Sequence, residues 1–157
     1  MSLIAAASIS HCDLASIKGG RAVHDILSRR AVEIMAAAAT MGPESDKLLD
    51  ALVEEDASLT VVVGDVGLPG VGKMGARSLA KRIGPDEFRS LGWDYMDIPF
   101  DACRKQTVTV DFIANRDHRI SRLSFTFENA RLVAAEGWQH SFVSGAFPAA
   151  DFKQADR

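Results

Sequence analysis

The sharpest chemical pattern in the sequence is a glycine-rich stretch that ends in a lysine. It reads Gly67-Leu68-Pro69-Gly70-Val71-Gly72-Lys73-Met74 and follows a β-branched run. Phosphate-binding loops use such a segment: backbone amides surround the phosphates, the lysine reaches them, and a hydroxyl at the next position binds magnesium. Met74 supplies no oxygen there. The stretch is therefore either a nucleotide-binding loop without its metal ligand or a plain glycine-rich connection.

Three residues of the second half are candidates for acid–base catalysis: Asp111, His140 and Tyr95. Asp111 stands in an apolar run, where burial would raise the pKa of its carboxyl toward the value that a general base needs at neutral pH. The strand alternation instead puts Asp111 on the polar side, solvated or at an interface. A histidine can act as an acid or a base near neutral pH, so His140 is either such a group or a structural residue. Tyr95 offers a hydroxyl donor only if it points inward.

Aromatic side chains could line an apolar binding site. The candidates are spread over the predicted strands of the second half: Trp93, Phe112, Phe125, Phe127 and Trp138. Periodicity alone does not tell which face of each strand points inward, so aromatic packing in the core is the alternative for them. On the first predicted helix, His24 or Asp25 could face the mouth of such a cavity or lie on the solvated side.

The residue types and their spacing do not predict binding of a cofactor, a metal or nucleic acid. Cys12 and Cys103 are far apart and lack the spacing of a zinc site or a disulfide framework, so we expect reduced thiols in the cytoplasm. The net charge of −3 and the scattered Lys and Arg do not favour nucleic-acid binding. No apolar run approaches the roughly 20 residues that span a bilayer, and the opening residues lack the basic start of a signal peptide. The sequence therefore predicts a cytoplasmic protein that uses no cofactor and no metal.

Helices in the first half and strands in the second must position these residues. Helical periodicity predicts three helices, at about 14–40, 45–53 and 73–82. A short buried strand is predicted at 59–63, and alternation predicts four strands beyond Pro85, at 88–98, 106–114, 119–127 and 131–142. Short turns between the last strands indicate antiparallel pairing. We expect one α+β domain over 1–157, with its ordered core at about 12–147 and helices covering one face of a curved antiparallel sheet.

Three segments, taken with the order of the elements, carry a resemblance to a known class. They are Leu52–Leu59, Lys73–Leu79 and Asp117–Ile120. Over nearly its whole length the chain resembles SnoaL-like proteins of the nuclear-transport-factor-2-like class. This resemblance implies a cystatin-like α+β roll, in which the antiparallel sheet forms a cone under three N-terminal helices. It also implies an apolar cavity inside the cone and a homodimer made through the outer face of the sheet.

Departures from the class affect the expected function. Ketosteroid isomerases of this class carry a general base where this chain has Val61 and Val62, and a second acid near the position of Leu123. None of these side chains transfers a proton, so that activity is not expected. The predicted function is a cavity protein for a small apolar molecule, such as a polyketide, a steroid or an aromatic acid, with proton transfer or hydration chemistry if it is an enzyme. The alternative is a non-catalytic module that dimerises or docks on a larger partner through its sheet.

Overall fold

A computed structural model of the protein describes residues 12–91 and 101–142. Within these ranges the chain forms three helices and six strands. In chain order they are α1 (Gly20–Ala39), α2 (Pro43–Leu52), β1 (Val53–Val63), β2 (Val66–Val71), α3 (Gly72–Ile83), β3 (Glu87–Ser90), β4 (Gln106–Ala114), β5 (Arg119–Glu128) and β6 (Arg131–Ser141).

The six described strands form one curved sheet in the order β2-β1-β6-β5-β4-β3. Four neighbouring pairs are antiparallel, which confirms the predicted meander of β4, β5 and β6. The β1–β6 pair is parallel, so the expectation of a wholly antiparallel sheet is wrong at this pair. These two strands are far apart in the sequence, and no local pattern reports the relative direction of such strands.

Helix α1 begins later than its periodicity suggests. Leu14 and Ile17 continue the helical spacing, but they lie in turns that precede the helix. Gly19 adopts a φ of 98°, a conformation that interrupts the helix and that glycine reaches without strain. From Gly20 onward the buried residues recur every three or four positions and pack into the core with α3 and β4.

The hairpin of β1 and β2 is longer than the sequence predicts. β1 starts at Val53 rather than Leu59, and the acidic residues at 54–56 interrupt the apolar pattern that would have marked its first half. Most of the glycine-rich stretch, predicted to be a connection, forms β2. Gly70 lets this strand lie directly on α3, because a Cβ atom there would come within 2.7 Å of the Gly75 Cα atom. Two glycines therefore stand where a strand and a helix touch.

The sheet has two faces with different surroundings. The inner face lies under the helices and carries much of the hydrophobic core, which on β4 and β5 consists of Val108, Val110, Phe112, Leu123, Phe125 and Phe127. The outer face carries the residues between them, Asp111 and Arg122 included. Along both strands the two kinds of side chain alternate with a period of two, as expected from the sequence.

A disulfide bond joins Cys12 to Cys103. The prediction of two reduced thiols is therefore wrong, and the cytoplasmic expectation loses that support, because disulfides persist mainly in oxidising compartments. The cysteines are 91 residues apart, so no local spacing signals their contact. Nearby, Arg30 donates to both carboxylate oxygens of Asp13 (3.1 and 2.7 Å) and to the carbonyl of Ala130 (2.7 Å). Together these contacts fasten the segment before α1 to the end of the sheet.

Candidate functional site

Asp111 lies on the outer face, between two arginines. Arg122 on β5 donates to both carboxylate oxygens (2.7 and 2.9 Å), and Arg89 on β3 donates to Oδ2 (2.8 Å). Both arginines stand directly across from Asp111 in the sheet register. The predicted placement of Asp111 opposite the apolar face is confirmed. The expectation of solvation is wrong, because the side chain is 0% exposed.

These contacts suit a structural ion pair better than a general base. Burial raises the pKa of the Asp111 carboxyl, but the hydrogen bonds from Arg122 and Arg89 outweigh it and hold the pKa below its usual value. A general base at neutral pH needs the opposite shift. The arginine N–H groups also occupy the oxygens that would receive a proton. The catalytic role of Asp111 stays a prediction to which this geometry lends no support.

His140 and Trp138 lie side by side on the outer face of β6. Their ring centroids are 4.5 Å apart, and the Arg122 guanidinium lies 5.5 Å from the Trp138 ring. Trp138 is 42% exposed, so one aromatic ring of this patch meets solvent. We call the patch the outer-face cluster and define it as Arg89, Asp111, Arg122, Trp138 and His140.

The phenylalanines predicted to line a ligand site are core residues. Phe112, Phe125 and Phe127 are at most 2% exposed, and Phe112 meets Phe125 edge to face at 6.0 Å. Trp93 and Tyr95, the remaining candidates, lie outside the described residues. The structure therefore places the three phenylalanines of the predicted aromatic lining on the inner face, whereas Trp138, a fourth predicted lining residue, lies on the outer face with Asp111 and His140.

An apolar groove opens between α1 and β3, with a volume of about 260 Å³. Its lining comes from one stripe of α1, from the segment that leads into β3, from the first two residues of β3 and from one residue of β4: Val32, Met35, Ala36, Ala39, Pro85, Asp86, Glu87, Phe88 and Phe112. The α1 residues follow the spacing i, i+3, i+4, i+7, which keeps them on one side of the helix. We call this site the α1–β3 groove. Among the predicted lining residues that the structure describes, Phe112 alone borders it.

The buried polar groups on the helix-covered side include three residues that sequence reasoning misses, Ser28, Ser121 and Gln139, and one that it considers, His24. Ser28 is 4% exposed, and its hydroxyl has no hydrogen-bond partner among the described residues. His24, one turn earlier, is 9% exposed, and burial lowers the pKa of its imidazole although Asp25 lies 4.0 Å away. The buried Gln139 amide donates to the Ser121 hydroxyl at 2.9 Å. A polar residue in the apolar phase of a helix or strand is the signal that could have found them.

The glycine-rich segment does not form a phosphate-binding loop. Its centre is β2, an edge strand antiparallel to β1, and α3 begins at Gly72. The Lys73 ammonium lies 2.6 Å from Asp50 and 3.7 Å from Asp46. The Lys73 ammonium, which would have to bind a phosphate, is therefore paired with carboxylates of α2. The geometry does not support the nucleotide-binding alternative.

Two further properties concern the described ranges only. Within 12–91 and 101–142, no group of three or more His, Cys, Asp or Glu side chains is placed to hold a metal ion. None of the helices in these ranges is both long and apolar enough to cross a bilayer.

The arrangement of the elements identifies the fold. Two helices precede the first strand, a third connects β2 to β3, and the helices pack on a curved mixed sheet that ends in a meander. The chain has an α+β roll, with its helices on one face of the sheet. This is the α+β architecture that the resemblance implies.

Several solved structures are similar to the chain at low identity. A cystatin-like fold protein from Burkholderia xenovorans LB400 is 15% identical, with a TM-score of 0.48 over 79% of this chain and 96% of that one. A protein of the SnoaL-like family from Agrobacterium tumefaciens strain C58 is 13% identical, with a TM-score of 0.46 over 76% and 99%. A nuclear-transport-factor-2-like protein of unknown function from Silicibacter pomeroyi DSS-3 is 10% identical, with a TM-score of 0.46 over 77% and 94%. No protein-family model and no curated protein matches the sequence.

Proposed function

We propose that the protein binds a small, neutral and largely apolar molecule in the α1–β3 groove. The observation that carries the proposal is the lining, in which seven residues are apolar and two, Asp86 and Glu87, are acidic. A concave apolar surface with few polar groups is the usual character of a small-molecule site. A fold alone is compatible with many functions, so the lining rather than the fold supports this one.

The size of the groove favours a ligand of one or two rings. A dry apolar cavity of about 150 Å³ holds benzene, and the groove has about 260 Å³. Sites for larger ligands begin at about 300 Å³. A four-ring steroid or polyketide would therefore extend out of the groove, whereas the volume of the groove matches a naphthalene-sized molecule.

The charges at the rim favour a neutral ligand over an aromatic acid. Asp86 and Glu87 are carboxylates, and none of the described lining residues is Lys or Arg. An acid bound here would lose water and gain no cationic partner, so its charge would be costly to bury. A neutral ring compound carries no such cost.

Binding without a chemical step fits the position of the acid–base candidates. Neither Asp111 nor His140 lines the groove, and both belong to the outer-face cluster. The proposal is therefore a binding protein rather than an enzyme.

Fluorescence titration with N-phenyl-1-naphthylamine, a neutral probe that brightens in apolar surroundings, tests the proposal. We expect saturable binding to the wild type. Ala36→Phe places a ring at the exposed rim of the groove and should raise Kd about tenfold, which corresponds to about 1.4 kcal/mol of lost contact.

Ala22→Phe is the matched control, because Ala22 is exposed near the start of the same helix and does not line the groove. This variant should keep the wild-type Kd. Lack of saturable binding, or an equal loss in both variants, would show that the groove is not the site.

Self-association through the outer face is a second candidate function. Trp138 on β6 and Val62 on β1 are direct cross-strand neighbours, and they are 42% and 37% exposed. Arg122 and Glu136 flank this apolar pair, so a second copy related by a twofold axis could pair opposite charges while covering both side chains.

Light scattering coupled to size-exclusion chromatography distinguishes a dimer from a monomer. The wild type should elute as a dimer, and Trp138→Glu should shift it to a monomer by placing a charge in the interface. A wild-type monomer at high protein concentration would rule out this second function and leave ligand binding unaffected.

A further inference from the structure

We infer that the ligand of the α1–β3 groove carries a neutral oxygen acceptor, such as a ketone, and that Ser28 donates a hydrogen bond to it. This inference rests on the proposed function and specifies the polar part of the same ligand. Three properties of Ser28 carry it: its place on α1, its burial and the state of its hydroxyl.

Ser28 lies on the side of α1 that forms the groove. Val32, Met35 and Ala39 follow it by four, seven and eleven residues, which is the spacing of one helix face. One helical turn rises about 5.4 Å. Ser28 is not itself a lining residue of the groove; it lies on the same helix face one turn before Val32, so a ligand reaches its hydroxyl only by extending past Val32.

The Ser28 hydroxyl is buried without a hydrogen bond. The residue is 4% exposed, and its Oγ atom has no partner among the described residues. Helical serines often donate to the carbonyl four residues earlier, which here belongs to His24, but that bond does not form. A buried hydroxyl in this state destabilises the unliganded protein. An acceptor that arrives with a ligand would remove the penalty on binding.

The surroundings of Ser28 favour an uncharged acceptor. His24 lies one turn away on the same side, and burial lowers the pKa of its imidazole, which keeps it neutral at pH 7. Asp25, which partly opposes this shift, has a side chain that is 63% exposed. A carboxylate ligand would need a cation for its charge, whereas a ketone needs only one donor. Ser28 supplies such a donor.

Competition with N-phenyl-1-naphthylamine tests the inference with two naphthalenes of similar shape. 2-Acetylnaphthalene carries a ketone, and 2-isopropylnaphthalene does not. Ser28→Ala should weaken binding of the ketone about fivefold to tenfold, the effect of one lost hydrogen bond, and leave binding of the hydrocarbon unchanged. Ser28→Cys, which keeps a weaker donor, should lie between the wild type and Ser28→Ala for the ketone.

Stability provides a second readout. Because Ser28→Ala removes an unsatisfied group, its urea midpoint should equal or exceed that of the wild type. The matched control is Ser124→Ala, a serine on the outer face that is 3.1 Å from the Thr109 hydroxyl. That variant should bind both naphthalenes like the wild type.

The outcomes separate this inference from the proposed function. If neither naphthalene displaces the probe from the wild type, ligand binding in the groove fails and the inference fails with it. If both displace it but Ser28→Ala changes neither Kd, or changes both equally, binding stands and the role of Ser28 is wrong. A lower midpoint for Ser28→Ala would also count against it, since a satisfied structural serine behaves in that way.

Discussion

The outer-face cluster and the α1–β3 groove differ in whether a buried polar side chain in or beside them has a partner among the described residues. In the cluster, Asp111 accepts three hydrogen bonds from Arg89 and Arg122, so side chains of the protein neutralise its charge. Beside the groove, the Ser28 hydroxyl is buried and unpaired within the described chain. A buried carboxylate that two arginines neutralise helps to specify one structure, whereas a buried hydroxyl without a partner invites an explanation such as a bound ligand. The comparison indicates that the residues with the strongest chemistry hold the sheet together and that an ordinary serine is the better binding candidate.

Removal of the Asp111 charge should have the largest effect. In Asp111→Asn two arginines lose their ionic partner at a site where the carboxylate is 0% exposed. We expect the free energy of unfolding to fall by about 2–4 kcal/mol, somewhat less than for a fully buried pair because both arginines are partly exposed. Urea denaturation measures the loss.

The control for this variant is Asp117→Asn, which removes a half-exposed partner of Arg119. It should cost at most about 1 kcal/mol. If Asp111→Asn costs no more than the control, the cluster is not a structural network, and Asp111 returns as a catalytic candidate.

Ser121→Ala should have a smaller effect and sharpens the contrast with Ser28→Ala. Both variants delete one buried hydroxyl, but only Ser121 is hydrogen-bonded, to Gln139. We expect Ser121→Ala to cost about 1–2 kcal/mol, because the Gln139 amide loses its partner in a buried position. Chemical unfolding of the two variants side by side tests the difference. Equal losses would mean that satisfied and unsatisfied serines are equivalent here and would remove the basis of the comparison.

The smallest expected effect is a change in the pH dependence of stability at His24. Burial lowers the folded-state pKa of His24 below 6.5, so the unfolded chain takes up the proton first as the pH falls. Stability should therefore decline below about pH 6.5 until the folded imidazole is also protonated. Asp111, whose folded pKa is lowered, loses its contribution only below 3.8 and does not interfere.

Urea midpoints at about pH 7 and pH 5.5 check this prediction. The difference between them should shrink in His24→Gln, because glutamine does not titrate. An unchanged difference would show that His24 is not the group responsible.

Local patterns were enough to predict most of the fold. The bounds of β4 agree with the prediction, and those of β5 and β6 differ by one residue, because alternation and hairpin turns are encoded in neighbouring residues. The parallel β1–β6 pair and the Cys12–Cys103 bond could not be predicted, since both depend on how distant segments meet. The strand β2 was not predicted, because glycine and Pro69 are weak strand signals even at the edge of a sheet.

The site was less predictable than the fold for the same reason. Alternation correctly put Asp111 and Phe112 on opposite faces, but the ion pairs of Asp111 follow from the cross-strand register, which brings Arg89 and Arg122 beside it. The burial of Ser28 was in principle readable, because it occupies the apolar phase of α1. Its missing hydrogen bond was not, since that depends on the orientation of a single hydroxyl.

The Cys12–Cys103 bond turns much of the molecule into a covalent ring, from which the meander of β4, β5 and β6 extends as a tail. A protease that cuts once inside the ring, between α1 and β3, leaves a nicked molecule whose two fragments stay attached. On a denaturing gel the damage would be visible only after a reductant is added. A cut in the tail would release a fragment under either condition.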